Sequence, residues 1–248
     1  MTHLSDPITI RNLTLPNRLV MPPMATAKAD ENGYVTDAVC EYYRERAKYS
    51  KIGLIITEHS YIHLQGKAHP GQTSIASDDA IPSPQRLTHC IHQEGVKVFS
   101  QLSHAGAAAL SKTTGQPPVG PSPIYHPKQR EELPAEMTLQ QIRQVTEWFA
   151  LAALRAKQAG FDGVELHSAH GYLLNQFSPR WPTREPMRTV PSQWKTASAS
   201  IGRSSGRYDR LWGMTFPLRC GWAAVTMRPE EVPLKTAWRP VGCWSTAA

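Results

Sequence analysis

Up to Phe177 the sequence alternates short apolar runs with amphipathic helical stretches, and beyond Phe177 it does not. Strands separated by helix-length segments argue for a parallel α/β fold. Residues 8–10 and 13–15 flank Arg11 and Asn12 and read as a small hairpin. Residues 18–21 form the first apolar run, a helix is predicted over 37–49, and residues 53–58 form the second run. Ser83 followed by Pro84 predicts the start of the next helix, with Gly95 just past its end. Residues 96–102 read as the third strand, and the Pro- and Gly-rich stretch 105–135 as a long active-site loop. Thr138 with Gln141 forms a capping box. The helix it opens runs to about residue 159, carries Ile142, Val145, Phe149, Ala152 and Ala156 on one face, and ends at Gly160. Residues 162–167 are the fourth strand. This order predicts a (β/α)8 barrel truncated to its first four β/α units and followed by an irregular tail, although 248 residues is close to the roughly 250 of a whole barrel.

The domain division falls at the same point: a partial barrel over residues 1–177 and an irregular segment over 178–248. Residues 1–177 hold 16 basic and 16 acidic side chains, whereas 178–248 hold 11 and 4, which accounts for the whole net charge of +7. Six of the seven tryptophans also lie after Phe177, and prolines recur at 179, 182, 186 and 191. Disordered tails are usually poor in aromatic residues, so a plain disordered tail does not explain this composition. A tail binding single-stranded nucleic acid through Arg and Trp is a second reading, without the signature of any known module. A half-barrel that dimerises to rebuild eight strands is a third. No apolar run is long enough to span a membrane. The N-terminus lacks the regions of a signal peptide. Cys40, Cys90, Cys220 and Cys243 form no Cys-x-x-Cys pair, which predicts reduced thiols in a cytoplasmic protein with no metal site.

In parallel barrels the chemistry gathers at the C-terminal ends of the strands. Those ends read Pro22-Pro23-Met24-Ala25-Thr26, then Glu58-His59, then Gln101 with His104-Ala105-Gly106, then His167-Ser168-Ala169-His170-Gly171-Tyr172. The segments 16–24, 101–106 and 159–177 resemble, in order, the first-, third- and fourth-strand signatures of the old yellow enzyme family (NADH:flavin oxidoreductases). The resemblance runs almost continuously over residues 5–177. It implies FMN as cofactor, NADH or NADPH as reductant, and a small α,β-unsaturated carbonyl compound as substrate. It involves no specific nucleic acid and no membrane, and leaves room for a homo-oligomer.

The resemblance also implies roles. The backbone of Pro23, Met24 and Ala25 lies along the flavin, and the Gln101 amide pairs with the pyrimidine edge. His167 and His170 hydrogen-bond the substrate oxygen, His167 also bordering the cofactor, and Tyr172 donates a proton to the α-carbon. His59 lies near the same mouth, where a ligand-facing and a surface role stay open.

The family pattern fails after Phe177, and the genetic code offers a cause. Read from the third base of the Arg180 codon, the codons that follow permit Leu-Ala-Asn-Gln-Arg-Thr-Asp-Ala-Tyr-Gly, the family's own continuation. The same frame permits a barrel-strand pattern over 216–222 and a helical one over 232–243. One base lost just after Phe177 would produce the observed sequence, so residues 178–248 are expected to be an out-of-frame, disordered or non-native tail. An Arg near the fifth strand, which in the family contacts the flavin, exists only in the other frame. The chain as written is therefore expected to bind FMN weakly or not at all and to aggregate.

Overall fold

A computed structural model describes residues 3–10 and 13–177 and the backbone of 218–220. The hairpin β1 (Ile8–Ile10) and β2 (Leu13–Leu15) is antiparallel, as its pattern predicts. Strand β3 (Val20–Met21) follows, then helix α1 (Asp37–Tyr49), whose cap Thr36 accepts the Val39 N–H. Next come β4 (Leu54–Tyr61), α2 (Pro82–His92) and β5 (Lys97–Ser103). The long loop holds a short helix, α3 (Ser111–Thr114), and a pair of two-residue strands, β6 (Val119–Gly120) and β7 (Ala135–Glu136). Helix α4 (Leu139–Gln158) starts at the Thr138–Gln141 capping box, with both reciprocal bonds made. Strand β8 (Gly163–Leu166), helix α5 (Leu173–Gln176) and β9 (Leu218–Cys220) complete the order.

Strands β3, β4, β5, β8 and β9 form one parallel sheet in that order, the sequential order of a barrel wall. Two expectations are corrected. A strand does form beyond Phe177: β9 pairs in parallel with β8. Helix α2 begins at Pro82, with no side-chain cap from Ser83. Proline suits the first helical position because the amide it lacks would be unsatisfied there. The Ser83 hydroxyl instead accepts the Val35 N–H at 2.6 Å. The expected disordered or out-of-frame character of 178–248 otherwise lies outside the described residues.

Alternation along the strands sorts the apolar side chains to two faces. Ile55 and Val98 join Tyr43, Leu87, Ile91, Phe149 and Val164 in the layer between sheet and helices. Leu54, Ile56 and Phe99 point the other way and pack with Leu15 and the hairpin residues Ile8, Ile10 and Leu13. Each such full burial contributes roughly 1.5–3 kcal/mol. The hairpin therefore plugs the inner face near the N-terminal ends of β4 and β5. The buried polar residues Glu58, Gln101, Glu165 and His167 gather toward the opposite ends. That polarity decides where chemistry can occur.

Candidate active site

Four strand exits meet at the polar end. After β3 the chain runs through half-buried Pro23 and exposed Met24 and Ala25, then turns at Thr26. Glu58 on β4 fixes that turn, accepting the Thr26 N–H at 2.7 Å and the Thr26 hydroxyl at 2.8 Å. The Glu58 N–H in turn donates to the Tyr43 hydroxyl at 2.7 Å. Burial raises the Glu58 pKa above the usual carboxylate value, against the pull of the two Thr26 bonds.

On β5, Gln101 is buried and stands in register with Glu165 of β8. Its Nε2 donates to Glu165 Oε1 at 2.7 Å, which holds the amide in one orientation. His104 turns away from the mouth. It is fully buried and stacks over Trp148 of α4 at a ring separation of 6.3 Å. Burial, with His63 nearby, lowers its pKa to about 3.

The segment after β8 is the centre of the site. His170 and Gly171 both adopt left-handed backbone conformations, with φ of 58° and 80°. A non-glycine residue there is uncommon and often marks function. The double turn brings the Tyr172 ring to 4.7 Å from that of His167, and the His170 ring lies 5.2 Å from the same imidazole. Gln176 locks this loop to the one after β5. Its Nε2 donates to the carbonyls of Ala105 (3.0 Å) and Gly171 (2.6 Å), while its Oε1 accepts the Ala107 N–H. Burial, then the nearby His170, lowers the His167 pKa to about 4, and burial raises that of the Tyr172 phenol. At neutral pH His167 is thus an uncharged imidazole and Tyr172 an intact O–H donor.

His167, His170 and Tyr172 are brought together, and His59 joins them. The His59 ring stacks on His167 at 5.7 Å and meets Tyr172 edge-on at 5.4 Å. Pro23, Met24 and Ala25 are tied to this cluster through Thr26 and Glu58, while Gln101 sits on the neighbouring strand. Sequence reading missed Glu165 as the partner of Gln101, and Gln72, which bonds His59. Only the parallel register and the loop path bring them near.

The His167 Nδ1 is buried and has no hydrogen-bond partner among the described residues. Such an orphan costs about 1–3 kcal/mol unless a bound group or water takes it. With the oriented Gln101 amide and the exposed Met24 and Ala25, this is a set of polar groups that fits a planar heterocycle such as flavin. Among the described residues, no group of three or more His, Cys, Asp or Glu is arranged to hold a metal ion. No described helix is long and apolar enough to cross a membrane.

A family model described as NADH:flavin oxidoreductase / NADH oxidase matches residues 3–182. The chain is 44% identical over 177 residues to a metal reductase of Desulforamulus reducens, covering 71% of this chain and 26% of that one. It is 40% identical over 179 residues to an NADPH dehydrogenase of Halalkalibacterium halodurans, covering 71% and 51%. The chain thus spans between about a quarter and a half of these curated relatives. Among solved structures, 2-naphthoyl-CoA reductase in complex with 2-naphthoyl-CoA superposes with a TM-score of 0.79 at 26% identity, covering 88% of this chain and 34% of that one. An old yellow enzyme homologue from Zymomonas mobilis gives 0.72 at 27%, covering 88% and 63%.

Proposed function

The chain belongs to the NADH:flavin oxidoreductase / NADH oxidase family, and from that premise we propose that residues 1–177 carry the substrate face of an FMN-dependent NAD(P)H oxidoreductase that reduces activated alkenes. The observation that carries this reading is the His167–His170–Tyr172 cluster, built around an orphaned buried imidazole nitrogen. FMN, when bound, takes electrons from NADH or NADPH and supplies a hydride to the alkene β-carbon. The backbone of Pro23, Met24 and Ala25 and the Gln101 amide would hold the cofactor, with His167 at its border. His167 and His170 take the carbonyl oxygen of the substrate and stabilise the charge that develops there. The neutral His167 imidazole suits this task, because it donates without trapping the oxyanion as a fixed ion pair. Tyr172, kept protonated by its burial, gives its proton to the α-carbon.

The proposal extends to the domain division. Residues 178–248 are an out-of-frame reading of a barrel that continues in the other frame, and the chain as written takes up FMN poorly. Two features support this: the family match stops at residue 182, and codons consistent with the sequence permit the family's continuation in the shifted frame.

The test is to express the gene as it stands and with one base restored after the Phe177 codon, then titrate each product with FMN and assay 2-cyclohexen-1-one reduction with NADPH and NADH. The restored chain is expected to bind flavin stoichiometrically and reduce the enone, and the 248-residue chain to do neither. Stoichiometric flavin on the 248-residue chain overturns the tail assignment. A restored chain without flavin overturns the oxidoreductase assignment.

A further inference from the structure

Helices α1 and α2 pack against each other, and each contributes one cysteine to the layer between sheet and helices. Cys40 of α1 is 2% exposed and Cys90 of α2 is 7% exposed, and both are free thiols. Distant in the chain, their side chains hydrogen-bond each other. Arg44, one turn beyond Cys40 on α1, reaches across to the same sulfur. Its Nη2 donates to the Cys90 Sγ at 3.5 Å, while its Nη1 pairs with Glu41 Oε2 at 2.5 Å. The Arg44 side chain is 40% exposed, so the pair borders solvent on the Cys90 side. The two thiols are not equivalent. A cation beside a sulfur favours the thiolate, the form that attacks an oxidant. Cys90 has that cation, and its hydrogen bond is the first cause of the raised Arg44 pKa. Cys40 is kept as a thiol: burial, then the hydrogen bond and the charge of Cys90, push it up to about 12. The two contributions from Cys90 vanish once that sulfur is no longer a thiolate.

We propose that Cys40 and Cys90 are a redox-active dithiol, in which a small hydroperoxide oxidises Cys90 and Cys40 then closes a disulfide that ties α1 to α2. The Cys90 thiolate attacks the terminal peroxide oxygen. An S–O bond forms, the O–O bond breaks, and the departing alkoxide or hydroxide takes up the proton that Cys90 had released to solvent. Cys90 is then a sulfenic acid. The Cys40 sulfur attacks it, an S–S bond forms, the S–O bond breaks, and the Cys40 proton leaves with the hydroxyl group as water. The two thiols lose two electrons, and the hydroperoxide is reduced to an alcohol (or water) and one further water. The sulfurs start in hydrogen-bond contact and approach to the roughly 2.05 Å of a disulfide. The site lies outside the strand exits that form the mouth and does not depend on their assignment.

The test treats the 248-residue chain with an equivalent of hydrogen peroxide, blocks the remaining thiols with iodoacetamide and maps the tryptic peptides by mass spectrometry. The expected main product is a peptide pair linked through Cys40 and Cys90, released by dithiothreitol and lost when the chain is unfolded in urea before oxidation. The restored chain should give the same pair, because its residues 1–177 are unchanged. Cys40→Ser should stop the reaction at a Cys90 sulfenic acid, trapped by dimedone, and Cys90→Ser should leave Cys40 as a thiol. Arg44→Gln removes the cation without touching either sulfur and should slow the linkage about tenfold, through a smaller thiolate fraction. Recovery of both cysteines as alkylated thiols after peroxide, dimedone on Cys40 in place of Cys90, or linkage chiefly to Cys220 or Cys243 each overturns the proposal, as does an Arg44→Gln rate equal to that of the unaltered chain.

Discussion

Glu58 grips Thr26 with both carboxylate oxygens, at 2.7 Å to the backbone N–H and 2.8 Å to the hydroxyl. The contact joins residues 32 apart and anchors the end of the segment that carries Pro23, Met24 and Ala25. A glutamine at position 58 can still accept the N–H with its amide oxygen and donate to the threonine hydroxyl, which is free to turn. Glu58→Gln should therefore cost no more than about 1 kcal/mol, whereas Glu58→Leu leaves the Thr26 donors unmet and should cost about 2–3 kcal/mol. Urea denaturation of the two variants gives both figures, and equal losses would show that the carboxylate is not the organising group.

Acid should unfold this domain earlier than its carboxylates alone dictate. His59, His104 and His167 are held at about 3, 3 and 4 in the folded chain, against an ordinary value of 6.5. The unfolded chain thus binds protons first as pH falls. The stability these neutral rings retain is complete above pH 6.5 and is lost progressively from there toward pH 4 and then 3. Each ring contributes a slope of about 1.4 kcal/mol per pH unit within that window. Denaturation midpoints measured from pH 7.5 to 5 should fall, and His104→Phe should remove one ring's share of the slope. A flat profile would mean that these rings are solvated.

What was legible in the sequence was local. The capping box at Thr138, the apolar face of α4 and the His167/His170/Tyr172 spacing are all short-range patterns, and each has its place in the structure. What was not legible depends on residues far apart in the chain. Gln101 meets Glu165 because β5 and β8 run in parallel register, and the His59 Nδ1 meets Gln72 and Ser103 on two other segments. The second strand runs to Tyr61 instead of stopping at Glu58, because an irregularity between Ile56 and His59 lets pairing with β5 resume among polar residues. Ser83 looked like a cap and serves Val35 instead, a contact across 48 residues.

Tyr172 carries the sharpest mechanistic prediction. The phenol lies against His167 and is kept in its acid form by burial. In the restored chain, Tyr172→Phe should leave flavin reduction by NADPH unchanged and slow alkene reduction by about 10²–10⁴-fold, the range of a general acid. Stopped-flow measurement of the two half-reactions separates them. Loss of both rates together would assign Tyr172 to cofactor binding.

Gly163 tests the packing beneath the site. A methyl group placed there would fall inside contact distance of the Phe99 ring, which is fully buried in the inner cluster with Leu54 and Ile56. The backbone at Gly163 is ordinary strand, so the penalty is one of volume alone. Gly163→Ala should cost about 1–3 kcal/mol, as overpacked cores do, and the double variant with Phe99→Leu should recover part of it. Additive losses in thermal melts would show that the two positions do not compete for the same space.

The abrupt change at Phe177 leads to a prediction about the gene. Residues 1–177 balance their charges, and the 71 that follow carry the entire excess together with six tryptophans. Selection on a folded domain does not readily produce such a seam, whereas translation in a second frame does. Direct resequencing through the codons for Gln176 to Trp181 should reveal one missing base, with the restored frame open through the codons that follow. If the bases stand as read, the seam belongs to the gene, and the restored chain then differs from its natural product by that one insertion. In that case flavin uptake by the 248-residue protein becomes the measurement that decides whether the proposed site still operates.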